Sequence, residues 1–160
     1  MNNLYIKEVP GKGRGVFSKK DIKAGEIVEF SPVFIVSGTF SDYPEEHEYR
    51  LNGLKKYASK TIILPQEIKN HYFCWSDLTK NGKKDHCIAL GYGSLYNAAN
   101  PSNMRYEADE KNLNLLFIAV VDIYKDIELT VNYSGIDGNN KSEDNKWFTD
   151  RGIDFINKEI

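Results

Sequence analysis

A mainly β fold follows from three features of this sequence. Short apolar runs alternate with polar residues at a period of two, as at Leu4 and Ile6 or at Leu129, Val131 and Tyr133. Glycine, proline and asparagine punctuate those runs. Aromatic residues make up 12% of the chain, ten of them tyrosines, which suits strands and an aromatic-lined pocket. The 160 residues suffice for one domain with its own core. With 41% apolar and 28% charged residues, the chain reads as globular rather than disordered.

Residues 4–9 read as the first strand, and Pro10-Gly11-Lys12-Gly13-Arg14-Gly15 follows it. A dinucleotide fingerprint needs a helix after its glycines, and none follows here. No Gly-Lys-Ser/Thr closes the loop, so a phosphate loop is excluded too. The glycines form either a loop whose amides meet a ligand or a plain hairpin turn. Residues 27–30 and 33–36 read as two strands broken by Pro32. Residues 41–54 are polar and acidic, with Asp42, Glu45, Glu46 and Glu48, and 45–56 reads as a short helix. Such a cluster is a solvated face or a surface for a basic partner.

Residues 61–64 form a further strand before Pro65. The runs 71–75 and 86–90 flank a loop over 76–85, in which Asn81-Gly82 marks a turn. Residues 104–107 are a strand, and 113–121, the most apolar run, should be a central one. After a turn at 122–126, residues 128–133 alternate with Leu129, Val131 and Tyr133 on one face. The tail is polar up to Trp147-Phe148, and 151–160 reads as a short helix.

The chain is organised around residues 88–103, Ile-Ala-Leu-Gly-Tyr-Gly-Ser-Leu-Tyr-Asn-Ala-Ala-Asn-Pro-Ser-Asn. Apolar residues stop at Tyr96, and Asn97, Asn100 and Asn103 follow at intervals of three. Amides carry donors and acceptors and tolerate tight turns. The stretch reads as a turn whose backbone and amides face one place and grip a polar ligand, or as a buried segment ending in an Asn/Pro loop.

Composition narrows the function. The formal net charge is −2 and no basic face stands out, so nothing argues for direct nucleic-acid binding. Cys74 and Cys87 lack zinc-site spacing, and adjacent His86-Cys87 beside His71 is awkward for a tetrahedral site, so no metal is expected. No apolar run reaches a membrane span and no signal peptide opens the chain, which makes the cytoplasm the default compartment, with the nucleus and export to a host left open. Nothing calls for a homo-oligomer.

Three pieces stand in a fixed order: Gly13-Arg14-Gly15-Val16-Phe17 with Ile22-Lys23-Ala24-Gly25-Glu26 close behind, then 97–103, then Glu128-Leu129-Thr130-Val131-Asn132-Tyr133-Ser134-Gly135. This order resembles the SET-domain protein lysine methyltransferases, most of all the compact stand-alone proteins of viruses and bacteria. The resemblance implies a SET-domain, β-clip-like fold of short twisted sheets with a pseudoknot and a few short helices. It implies a domain over 3–135 with a variable insert at about 40–85, and a tail over 136–160 that closes the active site.

It also implies S-adenosyl-L-methionine as cofactor and a protein substrate with a target lysine, histone, ribosomal or other, bound on opposite faces and joined by a narrow channel. Lys12, Gly13 and Arg14 fall on the cofactor loop, and Asn97 and Ala98 on the cofactor-binding turn. Trp147 falls where some members lay a ring over the cofactor. Tyr133 matches the terminal catalytic tyrosine and Tyr106 the second channel tyrosine. By pattern alone Tyr133 is a core tyrosine and Asn97 a turn residue; the joint order gives them their roles.

The family's Asn-His-Ser is Asn97-Ala98-Ala99 here, and no cysteine-rich zinc cap follows Tyr133. The lost His side chain keeps a second reading in view, a catalytically inactive SET-fold module that binds protein. A third is a small β-rich protein that binds a partner through its acidic 41–48 segment.

Overall fold

The computed structural model describes residues 3–37, 39–40, 61–62, 71–83, 85–134 and 137–143. The acidic stretch 42–48, the helices expected over 45–56 and 151–160, and Trp147 lie outside the described residues. The described residues are mainly β, with short sheets and a single five-residue α-helix.

Strands β1 (Leu4–Val9) and β2 (Gly13–Ser18) form an antiparallel hairpin with Leu4 opposite Ser18 and Val9 opposite Gly13. Gly11 and Gly13 take φ of +74° and +72°, which glycine adopts without steric cost, so the chain reverses tightly there. Strand β3 (Ile27–Ser37) runs straight through Pro32, where two strands were expected. Residues from 27 to 32 pair with β10 (Asn114–Ala119), and residues from 33 to 37 with β7 (Asp85–Ala89). Pro32 lies where β3 changes partner, and its carbonyl accepts from Leu90 N at 2.8 Å.

Strands β4 (Thr39–Phe40) and β5 (Thr61–Ile62) pair in parallel. Strand β6 (Tyr72–Phe73) pairs with β7, and the connection between them holds helix α1 (Trp75–Thr79) where a loop was expected. Trp75, 3% exposed, anchors this single turn in the core, a tertiary contact that no local pattern displays. Asn81-Gly82 does turn the chain: Gly82 has φ +71° and Lys83 N donates to Asn81 Oδ1 at 2.9 Å.

A 3-10 turn at Gly93–Leu95 leads into β8 (Asn97–Ala98), then come β9 (Met104–Asp109), β10 and β11 (Glu128–Val131). The five-stranded sheet has the order β6-β7-β3-β10-β9, so the most apolar run is an interior strand. The four-stranded sheet has the order β1-β2-β11-β8, in which β11 is antiparallel to β2 and parallel to β8. Both sheets feed one core, in which Val16, Met104, Leu115, Phe117, Leu129 and Val131 are fully buried. Thr130 and Asn132 are buried as well, so the period-two alternation of β11 separates two packed faces rather than core from water.

The chain meets residues 97–106 twice. First β11 runs beside them in parallel, with Thr130 opposite Asn97 and Val131 opposite Ala98. Then the tail returns antiparallel: Tyr106 N donates to Gly138 O at 2.9 Å, Ser102 N to Asn140 O at 2.8 Å, and Asn100 Nδ2 to Ser142 O at 2.8 Å. Among the described residues, no helix is long and apolar enough to cross a membrane.

Candidate active site

The double crossing gathers distant residues at one place. Lys12, from the β1–β2 turn, donates through Nζ to the Ala98 carbonyl at 3.1 Å. Asn97 donates through Nδ2 to the Arg14 carbonyl at 3.3 Å and to Glu128 Oε1 at 2.7 Å. Gly13 and Arg14 are exposed beside them. Gly15 is buried under this corner: a Cβ there would come within 2.6 Å of both Glu128 Oε1 and Val9 Cγ2. The bare glycine lets β2, Asn97 and Glu128 meet.

The chemistry of this corner fits the amino-acid end of S-adenosylmethionine. Lys12 and Arg14 are cations suited to a carboxylate, while Glu128 Oε1 and the loop carbonyls suit a cationic ammonium or sulfonium. Glu128 opens the third motif in the sequence, and the sequence reading gives it no role of its own.

Of the three asparagines, only Asn97 stands at that corner. Asn100, 7% exposed, donates to Ser142 O at 2.8 Å, and its Oδ1 accepts from Ser142 N at 3.2 Å and from Asn132 Nδ2 at 3.4 Å. Asn103 donates through Nδ2 to Glu128 O at 2.7 Å and accepts Thr130 N at 2.8 Å. Of the two readings of this stretch, Asn100 and Asn103 follow the second, a buried segment ending in an Asn/Pro loop. Both satisfy buried backbone groups of the crossing segments, which burial makes obligatory.

The second cluster is aromatic. The Tyr133 ring lies 5.4 Å from Phe73 and 6.5 Å from Tyr106, and Phe73 lies 5.0 Å from Tyr106, centroid to centroid. Phe117 backs this wall at 4.7 Å from Tyr96 and 6.1 Å from both Phe73 and Tyr106. Tyr106 is 5% exposed, and the backbone of Gly138 lies close against its carbonyl. The Tyr133 hydroxyl donates to the Tyr96 carbonyl at 2.7 Å. Burial, and then the Tyr106 phenol, push the Tyr133 hydroxyl well above an ordinary tyrosine pKa. Burial does the same to Tyr106. Both phenols are neutral donors at any physiological pH.

The two clusters join at Tyr96-Asn97. Tyr96 presents its carbonyl to Tyr133, and the next residue presents its amide to Arg14 and Glu128. Seven of the residues singled out in the sequence thus belong to one locality: Lys12, Gly13, Arg14, Asn97, Ala98, Tyr106 and Tyr133. Trp147 lies outside the described residues. The sequence reading passed over Tyr96 and Phe73, which a resemblance in motif order does not mark. His71 is tied elsewhere, with Nδ1 2.7 Å from the Ser94 carbonyl.

Comparison with known proteins gives the same outline. The family model described as SET domain matches residues 13–134. The chain is 28% identical over 148 residues to a Schizosaccharomyces pombe protein named histone-lysine N-methyltransferase, H3 lysine-37 specific, covering 92% of this chain and 78% of that one. The fold resembles the crystal structure of a Plasmodium falciparum protein proposed as a histone methyltransferase, with TM-score 0.54, 23% identity, and coverage of 83% of this chain and 94% of that one. It also resembles KRYPTONITE in complex with mCHH DNA, an H3(1-15) peptide and SAH, with TM-score 0.51, 17% identity, and coverage of 83% of this chain and 23% of that one.

Proposed function

The chain belongs to the SET-domain family, whose activity is S-adenosylmethionine-dependent methylation of protein lysines, and we propose that it transfers a methyl group from S-adenosyl-L-methionine to a lysine side chain of a protein substrate. One observation carries this reading. The Tyr133 hydroxyl sits 2.7 Å from the Tyr96 carbonyl, one residue before Asn97, inside a wall of aromatic rings. A phenol is thereby fixed between the polar corner and an apolar lining, a placement from which it can orient reacting groups.

In this proposal Lys12, Gly13, Arg14, Asn97 and Ala98 hold the cofactor, with Trp147 laid over it. When bound, the cofactor supplies an electrophilic methyl group on a sulfonium. The chain's own residues do the rest. A substrate lysine, with a free pKa of about 10.4, must arrive neutral. The lining of Phe73, Tyr106 and Tyr133 disfavours its ammonium form by desolvation. Tyr133 orients the reacting groups through its hydroxyl. Tyr106 narrows the channel and helps set how many methyl groups the amine can carry.

We read 3–135 as the catalytic domain with an insert at about 40–85, and 136–160 as a tail over the site. The bonds from 138–142 to 100–106 support a structural role for the start of that tail. The name of the Schizosaccharomyces pombe relative makes a histone H3 peptide the first substrate to try.

The second reading, a SET-fold module that binds without turnover, draws on Ala98-Ala99. The backbone there is engaged whatever the side chains: the Ala98 carbonyl accepts from Lys12, and Ala99 N donates to Val131 O at 3.0 Å. Titration calorimetry with S-adenosylmethionine and S-adenosylhomocysteine, on the unsubstituted chain and on Asn97→Ala, separates the readings when paired with a mass-spectrometric methylation assay. Binding that weakens at least about tenfold in the variant, with methylated peptide formed, is the expected result. Binding without transfer to any protein substrate favours the module. No cofactor binding removes the methyltransferase reading and moves the weight to a protein-binding module.

A further inference from the structure

We infer that Glu29 is a positioning residue for the proposed methyl-transfer site: its carboxylate fixes Tyr96, and through Tyr96 the hydroxyl of Tyr133. The inference rests on the reading of Tyr133 as the catalytic phenol. Glu29 is the lone charge in the apolar run 27–36 and is half-buried on β3. Its Oε2 accepts the Tyr96 hydroxyl at 2.6 Å, and its Oε1 accepts Tyr92 N at 2.9 Å. One carboxylate thus ties both ends of the 92–96 turn to the central sheet. Gly91, at φ +67°, makes room for it, since a Cβ there would stand 2.5 Å from Glu29 Oε1.

The rest of Tyr96 is equally constrained. It is 3% exposed, and its ring packs 4.7 Å from Phe117. Burial first, and the Glu29 carboxylate second, push the Tyr96 phenol pKa up, and at 2.6 Å its bond to Glu29 is a short one. Tyr96's carbonyl is the acceptor of the Tyr133 hydroxyl, and Asn97 follows at the polar corner. A Tyr96 released from Glu29 can shift by a fraction of an ångström, and the Tyr133 hydroxyl bonded to its carbonyl shifts with it. Glu29 bonds to Tyr92 and Tyr96 rather than to Tyr133 or Asn97, so it acts on the site through Tyr96.

The test labels the tyrosines with 13C at Cζ and assigns the Tyr133 resonance from its loss in Tyr133→Phe. Glu29→Ala and Tyr96→Phe are expected to shift that resonance with neither cofactor nor substrate present. In the methylation assay kcat is expected to fall roughly 10- to 100-fold, the cost of a misplacement remote from the chemistry, with cofactor Kd within about threefold. Glu29→Gln can accept from Tyr92 N and donate to the Tyr96 oxygen, and is expected to restore most of both readouts. The double variant Glu29→Ala/Tyr96→Phe is expected to lose no more than the worse single one.

An unmoved Tyr133 resonance in both variants, or losses that multiply in the double variant, overturns the inference. Tyr96→Phe deletes a single oxygen, so it decides the matter where Glu29→Ala fails to fold. A chain that methylates nothing sinks the methyltransferase reading, while the resonance still decides whether Glu29 positions Tyr133.

Discussion

Tyr133 is held by parts of the chain that lie far away in sequence. Its hydroxyl is fixed by the Tyr96 carbonyl, and its ring by Phe73 and Tyr106. Tyr133→Phe keeps the ring and removes the hydroxyl, so it separates the two. Turnover should fall about 100-fold or more, as expected for a group that orients the reacting atoms, while S-adenosylhomocysteine binding in calorimetry changes by less than about threefold. Unchanged turnover would remove Tyr133 from the mechanism. Tyr106→Phe tests the channel in a similar way. A lost hydroxyl widens the space, and mass spectrometry of the product should show a shift toward higher methylation states. The pH profile follows from the direction of the phenol shifts. Burial raises both phenols above the ordinary tyrosine value, so they stay protonated where a free tyrosine would ionise. Activity should therefore rise with pH as the substrate lysine deprotonates, with no descending limb up to about pH 10. A fall beginning near pH 9 while circular dichroism shows the chain still folded would contradict neutral phenols at the site.

Strand β11 and the tail hold residues 97–106 by side-chain clips as well as by the ladder. Asn103 is the strongest clip: it donates to Glu128 O at 2.7 Å, and its Oδ1 accepts Thr130 N at 2.8 Å and Thr130 Oγ1 at 3.2 Å. Asn103→Ala leaves the amide of a buried residue without its partner. The expected loss is about 1–3 kcal/mol in denaturant unfolding, the range for a hydrogen-bonded pair broken on one side. Gly138 plays the corresponding part for the tail. It has φ +69°, and a Cβ there would collide with the Tyr106 carbonyl. Gly138→Ala should detach the tail from β9, lower the melting temperature, and loosen Tyr106, seen as faster hydrogen exchange at the Tyr106 amide. Melting and exchange both unchanged would show that the tail contributes nothing to this edge.

Across the molecule, the buried ionisable groups set an alkaline limit. Burial pushes the Cys87 thiol up to about 12 and raises Tyr96, Tyr106 and Tyr133. The unfolded chain releases these protons first, so it binds fewer protons than the native state above the free-thiol pKa of about 8.5. The slope of stability with pH is then negative. The contribution is complete below about pH 8.5 and is lost as pH rises through the native values. Urea midpoints should be flat between about pH 7 and 8 and fall steeply from about pH 9 to 11; a flat profile to pH 11 would contradict burial of these groups in the native state.

What the sequence determined is local. Period-two alternation marked β1 and β11, the longest apolar run marked an interior strand, and glycines marked the β1–β2 turn, because these features depend on neighbours a few residues apart. Motif order carried the residues of the polar corner and the two tyrosines. The continuity of β3 through Pro32, the fate of Asn100 and Asn103, and the Glu29–Tyr96–Tyr133 chain were decided only by tertiary structure. Asn100 meets Ser142 across a separation of 42 residues, and Tyr96 meets Glu29 across 67. A buried polar group must find some partner, but which partner lies within reach is fixed by how the sheets cross, and no periodicity in the chain encodes that.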